Sequence, residues 1–215
     1  MEAANAAVDT IKERGGEALA IKTDVSSLED TQEMVKKTIE RFGRIDILVN
    51  NAAIFQRVEM STVPFHEVDL DEWDRMMAAN VKGIFLCCRD VFPHMKVQGS
   101  GKIINIISSL FFLGLANYSP YITTKGAVVG FTRALARELG EYNINVNCIA
   151  PGATYSADPT DKSPLVWLEP NIPKRAIKRM QYPEDLVGTA LFLASSDSDF
   201  TTGQIIVTDG GEAFN

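Results

Sequence analysis

The stretch Ile45-Asp46-Ile47-Leu48-Val49-Asn50-Asn51-Ala52-Ala53 decides how the rest of the chain is read. Its apolar residues lack the regular in-and-out alternation of a half-solvated strand, which is the pattern of a parallel strand buried on both faces. Two further runs read the same way, one from Gly101 to Ser108 and one from Ile144 to Gly152. Outward from these, Ala18 to Val25 and Gln204 to Asp209 read as strands. Helical patterns fill the intervals. Residues 3 to 14 end at Gly15-Gly16; Ser27, with Asp30 three residues on, opens a helix ending near Phe42-Gly43; Asp69 to about Met95 forms a long helix; Pro120 to about Gly140 carries an inward stripe of Val128, Phe131, Leu135 and Leu139; and Pro183 to Ser195 forms another. Alternating strands and helices predict an α/β fold, a parallel sheet with helices on both faces in three layers.

Bulk properties narrow the function. A chain of 215 residues with 46% hydrophobic content fits a single globular domain spanning 1–215. A net charge of −7 argues against nucleic acid or an anionic membrane as a partner. Cys87, Cys88 and Cys148 fall at no metal-ligand spacing, and no apolar run approaches 18 residues, so a soluble, cytoplasmic, reduced protein is expected. His66 and His94 stand far apart and read as ordinary surface or helix residues. The acidic run Glu67, Asp69, Asp71, Glu72 and Asp74 reads as a solvated helix start, so no metal is expected. Trp73, Met76 and Met77 read as packing, and the cysteines as buried thiols.

Chemistry is concentrated at Asn117-Tyr118-Ser119-Pro120-Tyr121-Ile122-Thr123-Thr124-Lys125. Ser119 is placed to cap a helix and Pro120 to occupy its first position. Tyr121 then lies in the first turn with Lys125 four residues on, which sets phenol and ammonium on one face. A phenol ordinarily titrates near 10. A neighbouring ammonium and a helix N-terminus both favour its anion, the requirement for a general acid/base near neutrality. Read alone, the pair is more simply a surface pair on an amphipathic helix.

The surrounding residues make the pair specific. Asp24-Val25, Asn50-Asn51-Ala52-Ala53, Asn80 within Ala-Ala-Asn-Val-Lys-Gly, Ser108, Tyr121 with Lys125, Pro151-Gly152 and the closing Thr208-Asp209-Gly210-Gly211 occur in the order, and at the strand ends and helix positions, of the short-chain dehydrogenase/reductase family. The chain resembles that family from about Glu2 to its C-terminus. The resemblance implies a Rossmann-like fold and a catalytic set of Asn80, Ser108, Tyr121 and Lys125. Tyr121 would exchange a proton with the alcohol or carbonyl oxygen as hydride passes to or from NAD or NADP. Lys125 would lower the phenol's pKa and bind the nicotinamide ribose, Ser108 would hydrogen-bond the substrate oxygen, and Asn80 would hold a water relaying protons from Lys125. Ser109 competes with Ser108, but the family's serine stands thirteen positions before the tyrosine and closes an Asn-x-x-Ser run, which fits Asn105 and Ser108. For the cofactor, the resemblance assigns Asp24, Val25, Asn51 and Ala52 to the adenosine. Thr154 and Ser156, in Pro151-Gly152-Ala153-Thr154-Tyr155-Ser156, join Tyr121 and Lys125 at the nicotinamide, with Ser156 standing where the family has threonine.

One family feature has no counterpart. Nothing in residues 1 to 23 resembles the glycine-rich turn, Thr-Gly-x-x-x-Gly-x-Gly, that meets the cofactor pyrophosphate. The chain reads as opening at the family's third helix, without the first two strands, as a truncated gene model, a mis-chosen start at Met1 or a short variant would. In that case the strand at 45 to 49 lacks its usual neighbour, and the strand ending at Asp24 is expected to close against it.

By position, Phe111, Phe112 and Tyr118 are candidates for the substrate pocket wall, and residues 153–173 for a lid. These walls suit an apolar or aromatic secondary alcohol or ketone. The expected function is an NAD(P)-dependent oxidoreductase acting on such a small molecule, assembled as a homo-oligomer, dimer or tetramer, through helices around 70 to 95 and 120 to 140. The alternative is a non-catalytic family member acting as an oligomer subunit or scaffold.

Overall fold

A computed structural model describes residues 1–55, 60–156 and 165–214. Its elements run α1 Glu2–Glu13, α2 Leu28–Phe42, β1 Ile47–Asn50, α3 Leu70–Met77, α4 Gly83–Gln98, β2 Gly101–Ile106, α5 Leu110–Leu113, α6 Ser119–Leu139, β3 Ile144–Pro151, α7 Leu165–Leu168, α8 Glu184–Ala194 and β4 Ile205–Thr208. The four strands form one parallel sheet in the order β1-β2-β3-β4. Val35 of α2, Ile84, Val91 and Met95 of α4, and Val128 and Leu139 of α6 bury one face of the sheet in the main core; Leu193 of α8 packs on Ile104 and Ile149 on the other. This is the Rossmann-like three-layer arrangement.

Local chemistry sets the helix ends. Ser27 accepts a hydrogen bond from the Asp30 amide at the start of α2, and Gly43 closes that helix in the left-handed region at φ 78°. Asp69 caps α3 through the Glu72 amide. The long helix expected from Asp69 to Met95 is interrupted by a π-type segment, Ala78–Lys82, centred on Asn80. The fully buried Asn80 amide takes its partners from other elements, as is common where a π-bulge serves a site.

The expected strand from Ala18 to Val25 is not formed. Residues 16–24 belong to no strand, and β1 is an edge of the sheet among the described residues. The reason lies at the end of the segment. Val25 packs so closely on Gly83, at the start of α4, that a Cβ there would lie 2.9 Å from the Val25 methyl. Asp24 closes a turn by accepting from the Ser26 amide and hydroxyl, and donates its own amide to Asp30. The segment is therefore tied to α2 and α4 instead of pairing with β1, and Ile47 and Val49 stay 43% and 50% exposed.

Candidate active site

The site lies where the C-terminal ends of the parallel strands meet the first turns of α6, the region in which open α/β sheets place their ligands. Beneath it a chain of buried polar groups ties strands to helix. Asn50 donates to Asn105 (2.8 Å), Asn105 donates to Thr132 of α6 (2.8 Å), and the Thr132 hydroxyl meets the Cys148 sulfur at 3.1 Å. Asn50 and Asn105 are register partners on β1 and β2, so the chain fixes both the pairing and the placement of α6.

Helix α6 begins one residue earlier than expected. Asn117 takes a left-handed turn (φ 68°), Tyr118 is the N-cap without a side-chain cap, and Ser119 is already helical, which leaves Pro120 in the second position. Tyr121 and Lys125 remain one turn apart, both buried, with the ammonium 5.3 Å from the Tyr121 ring centroid. Lys125 Nζ donates to the carbonyl of Ile106 at the end of β2 (2.9 Å). Burial lowers its pKa from 10.5 to about 8.

Ser108, just beyond β2, acts on the Tyr121 phenol in the direction that favours its anion. The Ser108 oxygen also accepts from the Leu110 amide at 3.2 Å. Ser109 instead is 2% exposed, with its amide bonded to the Pro151 carbonyl. The expected lowering of the phenol pKa by Lys125 is not what this geometry produces. Burial pushes Tyr121 up to about 12, opposed by the Ser108 hydrogen bond, because the ammonium points to the Ile106 carbonyl and the phenol has little water to solvate its anion.

Asn80 is a clamp. Its Oδ1 accepts from the Ile54 amide (2.7 Å), and its Nδ2 donates to the Ile54 carbonyl (3.1 Å) and to the Thr124 hydroxyl (3.3 Å), which in turn donates to the Tyr121 carbonyl at 2.7 Å. Both amide hydrogens are thus committed to protein groups, so the side chain expected to hold a relay water joins the loop after β1 to the helix carrying Tyr121 and Lys125. The ring of Phe55, which follows the clamped Ile54, lies 4.3 Å from the Tyr121 ring, centroid to centroid, tilted by 31°.

The residues expected at the cofactor fall in two groups. Asn51 and Ala52 are exposed just past β1, and Asp24 and Val25 lie at the turn before α2. Thr154 bridges to Gln181 and donates to the Gly152 carbonyl (2.9 Å), while Ser156 is exposed two residues further on. Gly152 fits a confined space, since a Cβ there would lie 2.7 Å from both Asp209 and the Gln181 Oε1. Among the described residues neither Phe111 nor Phe112 makes a ring contact with Tyr121. They pack edge to face, 5.0 Å apart, against the core, with Phe111 meeting α6 at Gly126. Of the expected lid at 153–173, residues 157–164 lie outside the described ones. The sequence reading missed Phe55, Thr124 and Gln181. Phe55 carried one signal, as the first aromatic residue beyond the strand run; Thr124 and Gln181 carried none.

The chain matches the family model described as enoyl-(acyl carrier protein) reductase over residues 1–212. It is 38% identical over 212 residues to (2S)-[(R)-hydroxy(phenyl)methyl]succinyl-CoA dehydrogenase subunit BbsD of Thauera aromatica, covering 99% of this chain and 83% of that protein. A double mutant of a Serratia marcescens short-chain dehydrogenase/reductase superposes with a TM-score of 0.87 at 31% identity, over 98% of this chain and 83% of that one. The gluconate 5-dehydrogenase of Burkholderia cenocepacia, solved with NADP and tartrate, gives 0.83 at 33% identity, over 96% and 80%. This chain belongs to the short-chain dehydrogenase/reductase family, and its relatives are oxidoreductases.

Proposed function

We propose that the protein interconverts a secondary alcohol and a ketone with NAD or NADP. The observation that carries this reading is the action of Ser108 on the Tyr121 phenol, whose anion it favours, with the Lys125 ammonium over the same ring. It converges a proton donor, a second hydroxyl and a positive charge on one place where a carbonyl oxygen can sit. In the reducing direction Tyr121 gives its proton to the substrate oxygen and Ser108 donates a hydrogen bond to that oxygen as charge develops. In the oxidising direction the phenolate takes the proton back. Asn80 acts through position, holding Ile54 and Thr124 so that Tyr121 and Lys125 keep their places. A bound nicotinamide supplies or accepts the hydride. The relative from T. aromatica bears a name that places a hydroxyl on a carbon carrying a phenyl group, in line with a secondary alcohol here.

The residues present fit the nicotinamide end of such a cofactor. Gln181 Oε1 is a buried acceptor with no hydrogen-bond partner beside the confined Gly152, a place for an amide donor. Thr154, Ser156 and Lys125 would hold that end, and Asp24, Val25, Asn51 and Ala52 the adenosine. Homo-oligomer assembly through α4 and α6 accords with Phe85, 46% exposed, whose ring lies 6.0 Å from that of Phe131. The test is titration of the purified chain with NADH and NADPH, followed by turnover of secondary ketones. Saturable binding with turnover is expected. A folded oligomer that ignores both nucleotides refutes the enzyme reading in favour of a scaffold.

A further inference from the structure

We infer that Phe55 is the specificity-determining wall of this site and that it selects alcohols and ketones bearing a flat, unsaturated group beside the reacting carbon. Three observations lead there. Tyr121 is 5% exposed and the half-buried Phe55 ring packs on it. The two rings lie 4.3 Å apart, tilted by 31°, and the partial exposure of Phe55 leaves part of its ring for a second group. The backbone that carries it is fixed, since both polar groups of Ile54 are held by the fully buried Asn80. Phe111 and Phe112 pack against the core and on one another, and neither ring meets that of Tyr121 among the described contacts.

A group passing such a wall to reach the Tyr121 hydroxyl meets an aromatic surface on a rigid support. A planar ring gains an offset or edge-to-face contact there; a puckered ring of equal carbon count does not. This inference rests on the oxidoreductase reading and specifies its substrate class.

The experiment compares acetophenone with cyclohexyl methyl ketone, which match in carbon skeleton and differ in flatness, in the full chain and in Phe55→Leu and Phe55→Ala, with circular dichroism melts confirming that each is folded. In the parent chain, kcat/KM for the aryl ketone should exceed that for the cyclohexyl ketone by about two- to ten-fold, the size of one aromatic pair. In Phe55→Leu the ratio should fall to about one. An independent readout is the alkaline tyrosinate absorbance, taken as the difference from Tyr121→Phe. Phe55→Ala admits water and should bring the ionisation down from about 12 towards the ordinary 10. Turnover with an unaltered ratio in both variants overturns the inference and leaves the oxidoreductase reading standing. Absence of turnover for every ketone with either nucleotide overturns that reading and this inference with it.

Discussion

At Tyr121 two influences oppose one another: burial favours the neutral phenol, and the Ser108 hydrogen bond favours the anion. Burial wins, so the phenol keeps its proton at neutral pH, the form that the proposed ketone reduction uses. Ser108 is the hydroxyl that acts on the phenol, whereas Ser109 is packed away. Ser108→Ala should therefore lower kcat by about 100-fold, the usual loss for one donor to a developing oxyanion. Ser109→Ala should leave kcat within a few-fold, and steady-state kinetics of the two variants decides. Lys125 gives a pH prediction. Its folded pKa is about 8 against 10.5 for the free group, so the folded state disfavours the charge. The penalty is present in full below about 8 and is relieved as pH rises from 8 to 10.5, because the folded protein releases this proton before the unfolded chain does. Stability should climb across that window through this group. Tyr121 works the other way from 10 to 12 and the buried Cys87, Cys88 and Cys148 from 9 upward, so the clean interval is 8 to 9. Urea denaturation at several pH values should show a gain that Lys125→Met removes; a gain of equal size in the variant would assign it elsewhere. The Tyr121–Lys125 spacing was legible in the sequence because helical period is a local property. The direction of the phenol's pKa was not, because it depends on how much water the other segments exclude.

At the scale of elements, the interruption between α3 and α4 and the loop after β1 act as one device. Asn80 supplies the hydrogen bonds that a neighbouring strand would otherwise give to Ile54, and reaches α6 through Thr124. Asn80→Ala would leave the Ile54 amide and carbonyl without those partners, and should cost about 1–3 kcal/mol in urea denaturation. It should also weaken the Phe55 contact with Tyr121, while a variant with unchanged stability would show that the clamp is dispensable. The sequence marked Asn80 as a site residue by its setting in Ala-Ala-Asn-Val-Lys-Gly. It carried no sign of a π-type segment, because the choice is made by the buried partners of one amide, which lie on other elements.

For the molecule as a whole, the parallel sheet is covered unevenly. Leu48 of β1 packs into the main core, while Ile47 and Val49, on the opposite face, remain exposed on an edge strand. Such an edge invites pairing with another chain. Ile47→Lys should reduce concentration-dependent aggregation of this 215-residue chain with little change in its melting temperature, as light scattering and calorimetry would show. Aggregation unaffected by the lysine would place the sticky surface elsewhere. The amino-acid order alone was enough for the alternation of helices and buried strands and the four strands now paired, which follow from local periodicity. Resemblance, carried by residues at strand ends and in helix turns, supplied the family and the expectation that Ser108, Tyr121 and Lys125 share one site. It took the packed molecule to show that residues 18 to 25 leave the outer edge of β1 unpaired, that the Lys125 ammonium addresses the Ile106 carbonyl, and that Phe55 rather than Phe111 or Phe112 meets the Tyr121 ring. Each of those outcomes is a competition between segments distant in sequence for one neighbour, and it is settled by packing and burial.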